Sequence, residues 1–516
     1  MYYKYSKNKR YVVYYAIFSI LVKLSVILMP LITEQLVNAA TNKNQQIFSK
    51  FTIYYIVITI LFMTFRYFSS KSYTLAAGEI EYEIKNEIFN KITYGSYMKI
   101  NEKDVGFYLQ RYNKDVEGME FIFFQHKIDF IINMFYTIAI LVAMVYLDYR
   151  IPLMLMVVVP LFIFLNKKII PIIQHRSSKY FENQEVLSGY VEMAYNGSLG
   201  IRASKHQEKI NDSYKQNMNI TKKSMFKYLL LDEKYNVGVV DGILNFCNIF
   251  VYCYGGLLLF NNIITVGTLM AFVIYFSRIW DPIAFYLGYK KKVSKAKVSE
   301  SRVLEILNIK CDAQSDEKKE KIDNVWISNI LFSINDKEII TDANIRLDKN
   351  HIYYVTGANG SGKTTFFNLI AEIYNTDKRV EINSKVHDKN TVGLKENCYY
   401  VTADVYNLPS RISDNISEDT YMKYPINHHK YDDQISSLSS GEQKKLQLIR
   451  SIERSESIII FDEPLNYLDK SNIKFFTKII DHIKMDKIII ISSHEEDIKK
   501  ICTDVIEISN AVISNS

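Results

Sequence analysis

The 516-residue sequence contains no C-x-x-C pair. Its five cysteines, Cys247, Cys253, Cys311, Cys398 and Cys502, are scattered. That excludes a zinc-binding or disulfide framework and suits a reducing compartment. It also lacks an internal repeat and a low-complexity tract. No small-residue cleavage site follows the first apolar stretch, which runs from Arg10 to about Ile32. That stretch is too long for a signal core, so no cleavable leader is expected. Neither sign of charge dominates: 63 Lys and Arg stand against 56 Asp and Glu, a net charge of +7. The basic clusters lie beside apolar runs, where they orient a chain in a bilayer, and no nucleic-acid partner is expected.

What the sequence has is apolar and aromatic bulk, unevenly spread. Hydrophobic residues make up 48%, with 39 Tyr and 29 Phe. The mean hydropathy of −0.05 averages two unlike halves. Residues 1–290 carry long apolar runs, and residues 310–516 are polar and lysine-rich. Six candidate spans fall near 11–33, 50–70, 127–147, 151–168, 237–260 and 264–289, each close to the roughly 20 residues that cross a bilayer. Lys4, Lys7, Lys9 and Arg10 precede the first span, Lys167 and Lys168 follow the fourth, and Lys290, Lys291 and Lys292 follow the sixth. Six spans put all of these on one side, and the positive-inside rule makes that side cytoplasmic. The expectation is a multi-pass protein of the cell membrane.

Two polar segments, 71–126 and 169–235, then lie inside the cell, and their mixed three- and four-residue apolar spacing predicts long helices. The charged stretch around Cys311–Ile322 reads as a linker. The expected division is a transmembrane domain over 1–310, a linker over 311–323 and a second domain over 324–516. In that second domain short apolar strands alternate with helices: HIYYVTG at 351–357, NCYYVTA at 397–403, SIIIFDEP at 457–464 and KIIIISSH at 487–494. Near-continuous apolar strands predict a buried, mostly parallel sheet with helices on its faces. The fold class is therefore an all-α six-helix membrane domain followed by an α/β domain.

Gly357-Ala-Asn-Gly-Ser-Gly-Lys-Thr-Thr365 is a full G-x-x-x-x-G-K-T phosphate loop, after an apolar strand and before a helix. Glycines let backbone N–H groups approach phosphates, and the helix N-terminus adds a favourable dipole. Gly357, Asn359, Gly360, Ser361, Gly362, Lys363, Thr364 and Thr365 are the candidate nucleotide-binding residues. Lys363 is expected to reach the β- and γ-phosphates, and Thr364 to bind Mg²⁺. Ile458-Ile-Ile-Phe-Asp-Glu-Pro464 is an apolar strand ending in two acids. Burial explains the isoleucines but not the carboxylates. Asp462 is expected to hold Mg²⁺, and Glu463 to act on the attacking water as base or polarising group.

Leu438-Ser-Ser-Gly-Glu-Gln443 resembles the LSGGQ signature of ABC ATPases, and it stands about 20 residues before the acidic strand, as in that family. Asp469 matches the family's D-loop and His494 its switch histidine. The resemblance covers nearly all of 325–510. It implies that Ser439 and Gly441 contact the γ-phosphate held by a partner subunit, and that His494 bridges γ-phosphate and catalytic water. The amino-terminal half resembles exporter-type (type IV) ABC transporters. Asp104–Val116, with Gly106, Arg111 and Asp115, is similar to their first coupling segment, Val266–Pro282 to their sixth span, and Ser299–Leu307 to the helix leading into the ATPase. A second coupling helix is expected near 203–212.

Three departures from the family stand out. Ala403 occupies the Q-loop position, where alanine can neither ligate Mg²⁺ nor bind water, and Asp404 is the nearest possible substitute. Ile334 occupies the adenine-stacking position, with Phe332 the alternative platform on the same strand face. About 35 residues separate position 403 from Leu438, fewer than exporters have. Among intramembrane charges Lys23 is the leading candidate for the substrate path, with Arg66, Asp241, Arg278 and Asp281 toward the cytoplasmic end. The resemblance implies a homodimer, or a heterodimer with a second half-transporter. It also implies ATP and Mg²⁺ as ligands and a peptide or other amphipathic or hydrophobic cargo moved out of the cytoplasm. An ATP-binding membrane sensor and an importer of exporter-like architecture remain the alternatives.

Overall fold

The computed structural model describes residues 9–311, 321–509 and 512–515, apart from 329, 335–336, 359, 375–378, 388–393, 427, 467 and 469–471. The chain divides into two compact units. One comprises residues up to Ile88 together with Tyr108–Glu305; the other comprises Phe89–Phe107 together with Ile306–Ser516.

The first unit is helical. Its principal helices are α1 (Arg10–Thr41), α2 (Gln45–Tyr94), α3 (Gln125–Leu147), α4 (Arg150–Asn196), α5 (Gln207–Glu233), α6 (Gly242–Phe260) and α7 (Val266–Leu307). Among the described residues α1, α2, α3 and α7 are long and apolar enough to cross a membrane, and they carry the first, second, third and sixth expected spans. The fourth expected span lies at the start of α4, where the side chains of 154–163 lie outside the description. The fifth lies in α6 and the π-wound turn Lys234–Asp241 before it.

The helices show an inside-out pattern suited to lipid. Val13, Ile17, Ile20, Leu24 and Leu28 form an exposed apolar stripe on one face of α1, and Tyr15, Val26 and Pro30 are buried. Such a stripe is costly in water and favourable against acyl chains. Along α2 the pattern reverses. Ile53, Ile56, Val57 and Ile60 are exposed, but from Ser72 onward Ala76, Ile80, Ile84 and Ile88 are buried at four-residue spacing. That switch separates a lipid-facing part from a protein-packed part.

The expected long helices of 169–235 are α4 and α5. They run antiparallel, joined by Arg176 to the Lys227 carbonyl, Asn183 to Ser224, and Asn217 to Tyr190, with Tyr180 stacked on Tyr228. In the 104–116 segment Asp115 is buried. It accepts from Ser299 Oγ at 3.1 Å and pairs with Arg302 at 3.6 Å, and Arg111 approaches Glu305 at 3.7 Å. All three partners lie on the last turns of α7.

The second unit is built on strands β1 (Asn324–Ser328), β2 (Phe332–Ile334), β3 (Lys337–Ile340), β4 (Asp342–Ala343), β5 (Ile345–Asp348), β6 (Ile352–Thr356), β7 (Arg379–Ile382), β8 (Lys385–His387), β9 (Cys398–Val401), β10 (Ile458–Asp462), β11 (Ile488–Ser492), β12 (Asp504–Ser509) and β13 (Val512–Asn515). The central sheet runs β4-β13-β12-β6-β11-β10-β9 and is parallel except for the β12–β13 pair. A smaller antiparallel sheet runs β5-β1-β7-β8, and β2 pairs with β3.

The period of two is explicit in the core. Tyr353, Val355, Ile458, Ile460, Ile488, Ile490, Ile506 and Ile508 point to one face, covered by α8 (Lys363–Ile370) through Phe366, Phe367 and Ile370. Ile352, Tyr354, Ile459, Phe461, Ile489 and Ile491 point to the other, covered by α9 (Ser440–Arg450) and α10 (Ile473–Ile483) through Leu446, Ile449, Phe476 and Ile480. Strands buried on both faces must be apolar throughout, and the isoleucine runs are the result. The 89–107 segment packs with this unit: Met98 lies against the first of these cores, and Tyr97 lies 6.0 Å from Tyr374.

Candidate functional site

The candidate residues gather at the carboxyl ends of three adjacent parallel strands, where open α/β sheets place their ligands. The loop after β6 opens α8. Gly357 admits no side chain, because a Cβ there would lie 2.5 Å from Ser361 Oγ and 2.6 Å from the Ile508 carbonyl oxygen. Gly362 stands at φ +105°, a conformation side chains resist, and its carbonyl accepts the first bond of α8 from Phe366 N–H. Lys363 Nζ donates to the Gly357 carbonyl at 2.8 Å and to the Ala358 carbonyl at 3.3 Å, which braces the loop across its own turn. Ser361 Oγ is buried without a hydrogen-bond partner among the described residues. An orphan hydroxyl on a glycine-lined loop at a helix N-terminus fits an anionic oxygen.

Asp462 ends β10 and is nearly fully buried. Thr364 Oγ1 donates to its Oδ2 at 3.0 Å, Tyr400 OH to the same oxygen at 3.1 Å, and Ser492 Oγ to Oδ1 at 2.8 Å. Burial and the neighbouring carboxylate push the Tyr400 hydroxyl well above the ordinary phenol range. Thr364 and Asp462 form a pair of hard oxygen donors beside the phosphate loop. That set fits Mg²⁺, which takes one or two protein oxygens and completes its octahedron with phosphate and water. Among the described residues no group of three or more His, Cys, Asp and Glu is placed to hold a metal ion.

Glu463 follows in a left-handed turn, φ +45°, fixed by its N–H donating to Ser492 O at 3.2 Å and Ser492 Oγ at 3.1 Å. A glutamate held there carries backbone strain, which recurs at functional sites. Its carboxylate lies 3.4 Å from His494 Nε2. Burial raises its pKa above the usual carboxylate range, with His494 opposing.

The structure thus brings Lys363, Thr364, Asp462, Glu463 and His494 together. Ser439 and Gly441 sit apart, at the start of α9. Ser439 is the N-cap: its Oγ accepts from Glu442 N–H at 3.4 Å, and Glu442 Oε2 accepts from Ser439 N–H at 2.9 Å. Among the described residues no hydrogen bond joins either to the phosphate loop. Thr365 lies on the first turn of α8, and Asn359 and Asp469 lie outside the described residues.

Two expectations change. Phe332 is not an open platform: it is buried, and its ring stacks on Tyr374 at 5.3 Å and 10°. That ring face is occupied by the core, and the side chain of Ile334 lies outside the description. Around Ala403 the loop is held by a residue the sequence reading passed over. Lys444 is 0% exposed, and its Nζ donates to the carbonyls of Thr402 at 2.9 Å and Ala403 at 3.0 Å. Gln447, one turn on, donates to the Asp404 carbonyl at 3.3 Å. The legible signal was a lysine on the face of α9 that otherwise reads as core, beside Leu448. Tyr400 and Ser492 were also missed, as ordinary strand residues.

Residues 12–282 match the ABC transporter transmembrane region, and residues 340–466 match the ABC transporter family. A probable ABC transporter ATP-binding/permease protein of Haemophilus influenzae is 23% identical over 95% of this chain and 94% of its own length. A probable multidrug resistance ABC transporter ATP-binding/permease protein of Bacillus subtilis, YheH, is 22% identical over 81% of this chain and 67% of its own. The cytochrome c biogenesis ATP-binding export protein CcmA of Reclinomonas americana is 31% identical over 35% of this chain and 89% of its own.

Proposed function

The chain belongs to the ABC transporters, an integral membrane protein that couples ATP hydrolysis to transport, and we propose that it works as one half of a dimer that exports a peptide or other amphipathic or hydrophobic small molecule. The observation that carries this reading is the convergence of Lys363, Thr364, Asp462, Glu463 and His494 at one strand edge, in a chain whose other unit bears lipid-suited helices. Bound nucleotide would rest its phosphates on the loop amides and Ser361, with Lys363 turned from the loop carbonyls toward the phosphates. Thr364 and Asp462 would hold Mg²⁺, whose charge helps neutralise the phosphates. Glu463 would take a proton from the attacking water, and His494, at hydrogen-bonding reach of Glu463, would orient it.

The separation of Ser439 and Gly441 from the phosphate loop supports the dimer. The amino end of a helix, with its unpaired backbone N–H groups, is suited to a phosphate presented by another copy. An intact phosphate loop and Glu463 favour a homodimer; a second half-transporter could take the place of one copy. The ATPase unit lies in the cytoplasm in this reading, on the side of the lysine clusters. Inside-out vesicles test it. ATP-dependent cargo uptake that vanishes in Lys363→Ala supports export. ATP binding without uptake in either vesicle orientation supports the sensor, and uptake only into right-side-out vesicles supports an importer.

A further inference from the structure

Building on that transport reading, we propose that a cavity among α1, α2, α3 and α7 is a subsite for an anionic head group of the cargo, a carboxylate or phosphate carried on an apolar body. The cavity measures about 370 Å³ and lies wholly within the helical unit. It collects charges from four helices distant in sequence: Lys23, Arg66, Asp129, Arg278 and Asp281. Cations outnumber carboxylates by three to two.

The carboxylates and cations are unequally provided for. Asp129 already accepts from Tyr15 OH at 2.6 Å. Lys23, Arg66 and Arg278 make no direct ion pair or side-chain hydrogen bond among the described residues. Lys23 Nζ instead sits 4.3 Å from the centre of the Tyr136 ring, a cation–π contact that shields the ammonium on one side only. Tyr136 OH is itself buried without a hydrogen-bond partner among the described residues. Charged groups at membrane depth are costly and pair, or face a cavity or a ligand pathway. Here three cations and an orphan hydroxyl donor share one cavity with a single unpartnered carboxylate, Asp281. One incoming anion balances the charge and satisfies the donors. Val22, Val26, Phe62 and Ile132 on the same wall suit the apolar body.

The experiment is equilibrium binding to the purified full-length protein in nanodiscs of zwitterionic lipid, without nucleotide. Three probes share one alkyl chain and differ in head group: an N-acyl amino acid carboxylate, an alkyl phosphate and an alkyl trimethylammonium. Both anions are expected to bind about tenfold or more tighter than the cation, and Lys23→Met and Arg278→Gln each to weaken the anions by about tenfold. Arg278→Gln serves if Lys23→Met fails to fold. A better carboxylate points to an acidic or peptide cargo, a better phosphate to a lipid-like one, and either supports the subsite. A cation that binds as tightly as the anions, or anion affinity that survives both substitutions, overturns it. Because no nucleotide is present, anion binding without any transport defeats the transport reading alone, and transport without anion binding defeats the subsite alone.

Discussion

Lys444 Nζ lies 3.0 Å from the carbonyl oxygen of Ala403, at the position where the family's glutamine would stand. With its second bond, to Thr402, the ammonium clamps the end of β9 to α9, the helix capped by Ser439. The clamp joins the loop beside Thr364 and Asp462, the proposed Mg²⁺ ligands, to the residues proposed to meet a partner's nucleotide. The carboxylates of Asp462, Asp404 and Glu463 attract the ammonium. Lys444→Met is expected to lower ATPase activity by about tenfold or more. Stability should hold or rise, because a buried ammonium is costly and a methionine of similar shape is not. Thermal melting and ATPase assays on the same preparations check the pair of outcomes.

The same lysine sets a pH dependence with a definite sign. Burial lowers its pKa from 10.5 to about 8, a difference worth roughly 3 kcal/mol against the charged form. Unfolded chains therefore hold the proton between about pH 8 and 10.5 when the folded chain has lost it. Stability from this group is present above the upper value and is lost as pH falls through about 8. Activity runs the other way, because the neutral amine binds carbonyls weakly. ATPase activity is expected to fall as pH rises through about 8, and Lys444→Arg to move that limb upward. A pH–rate profile of both proteins decides it.

Glu463→Gln keeps the shape of the strained turn and removes the proposed base. Hydrolysis is expected to drop by about 100-fold or more while Mg-ATP binding persists. Single-turnover hydrolysis and nucleotide retention measured on the purified protein would refute the assignment if turnover survived.

Ser492→Ala removes a buried donor to Asp462 and an acceptor for Glu463 N–H. The expected cost is about 1–3 kcal/mol of stability, with a higher Mg²⁺ concentration needed for half-maximal activity. Chemical denaturation and a Mg²⁺ titration are the measurements.

Much of the architecture was legible because its causes are local. Apolar helical runs, flanking lysines and isoleucine strands each reflect burial in lipid or between two layers, and the loop around Gly357 is written in contiguous residues. What escaped was non-local. Nothing in Lys444, Tyr400 or Ser492 alone says that the fold aims them at the Ala403 carbonyl or at Asp462. Phe332 looked available because its strand face was read without Tyr374, which stacks on it from over 40 positions downstream. The charges at Lys23, Arg66, Arg278 and Asp281 were visible one by one, but their shared cavity with Asp129 needed the helices assembled.

Asp115→Ala removes the acceptor that Ser299 and Arg302 share. That leaves the buried Ser299 hydroxyl short of a partner, while the exposed Arg302 turns to water, at a cost of about 1–2 kcal/mol. Cargo-stimulated ATPase is expected to suffer more than basal ATPase, since the lost ties join the 104–116 segment to the end of α7. The ratio of stimulated to basal rate, read in nanodiscs, checks it.

Helix α2 runs unbroken for 50 residues without a proline, so it is a rod about 75 Å long with no proline kink. A rod of that length cannot bend sharply at the water line to absorb a push. Rocking it by ~5° sweeps one end past the other by about 6 Å, more than a helical turn's rise. Its lipid-exposed stretch and its protein-packed stretch must therefore travel as an oar does, blade and handle in a single stroke.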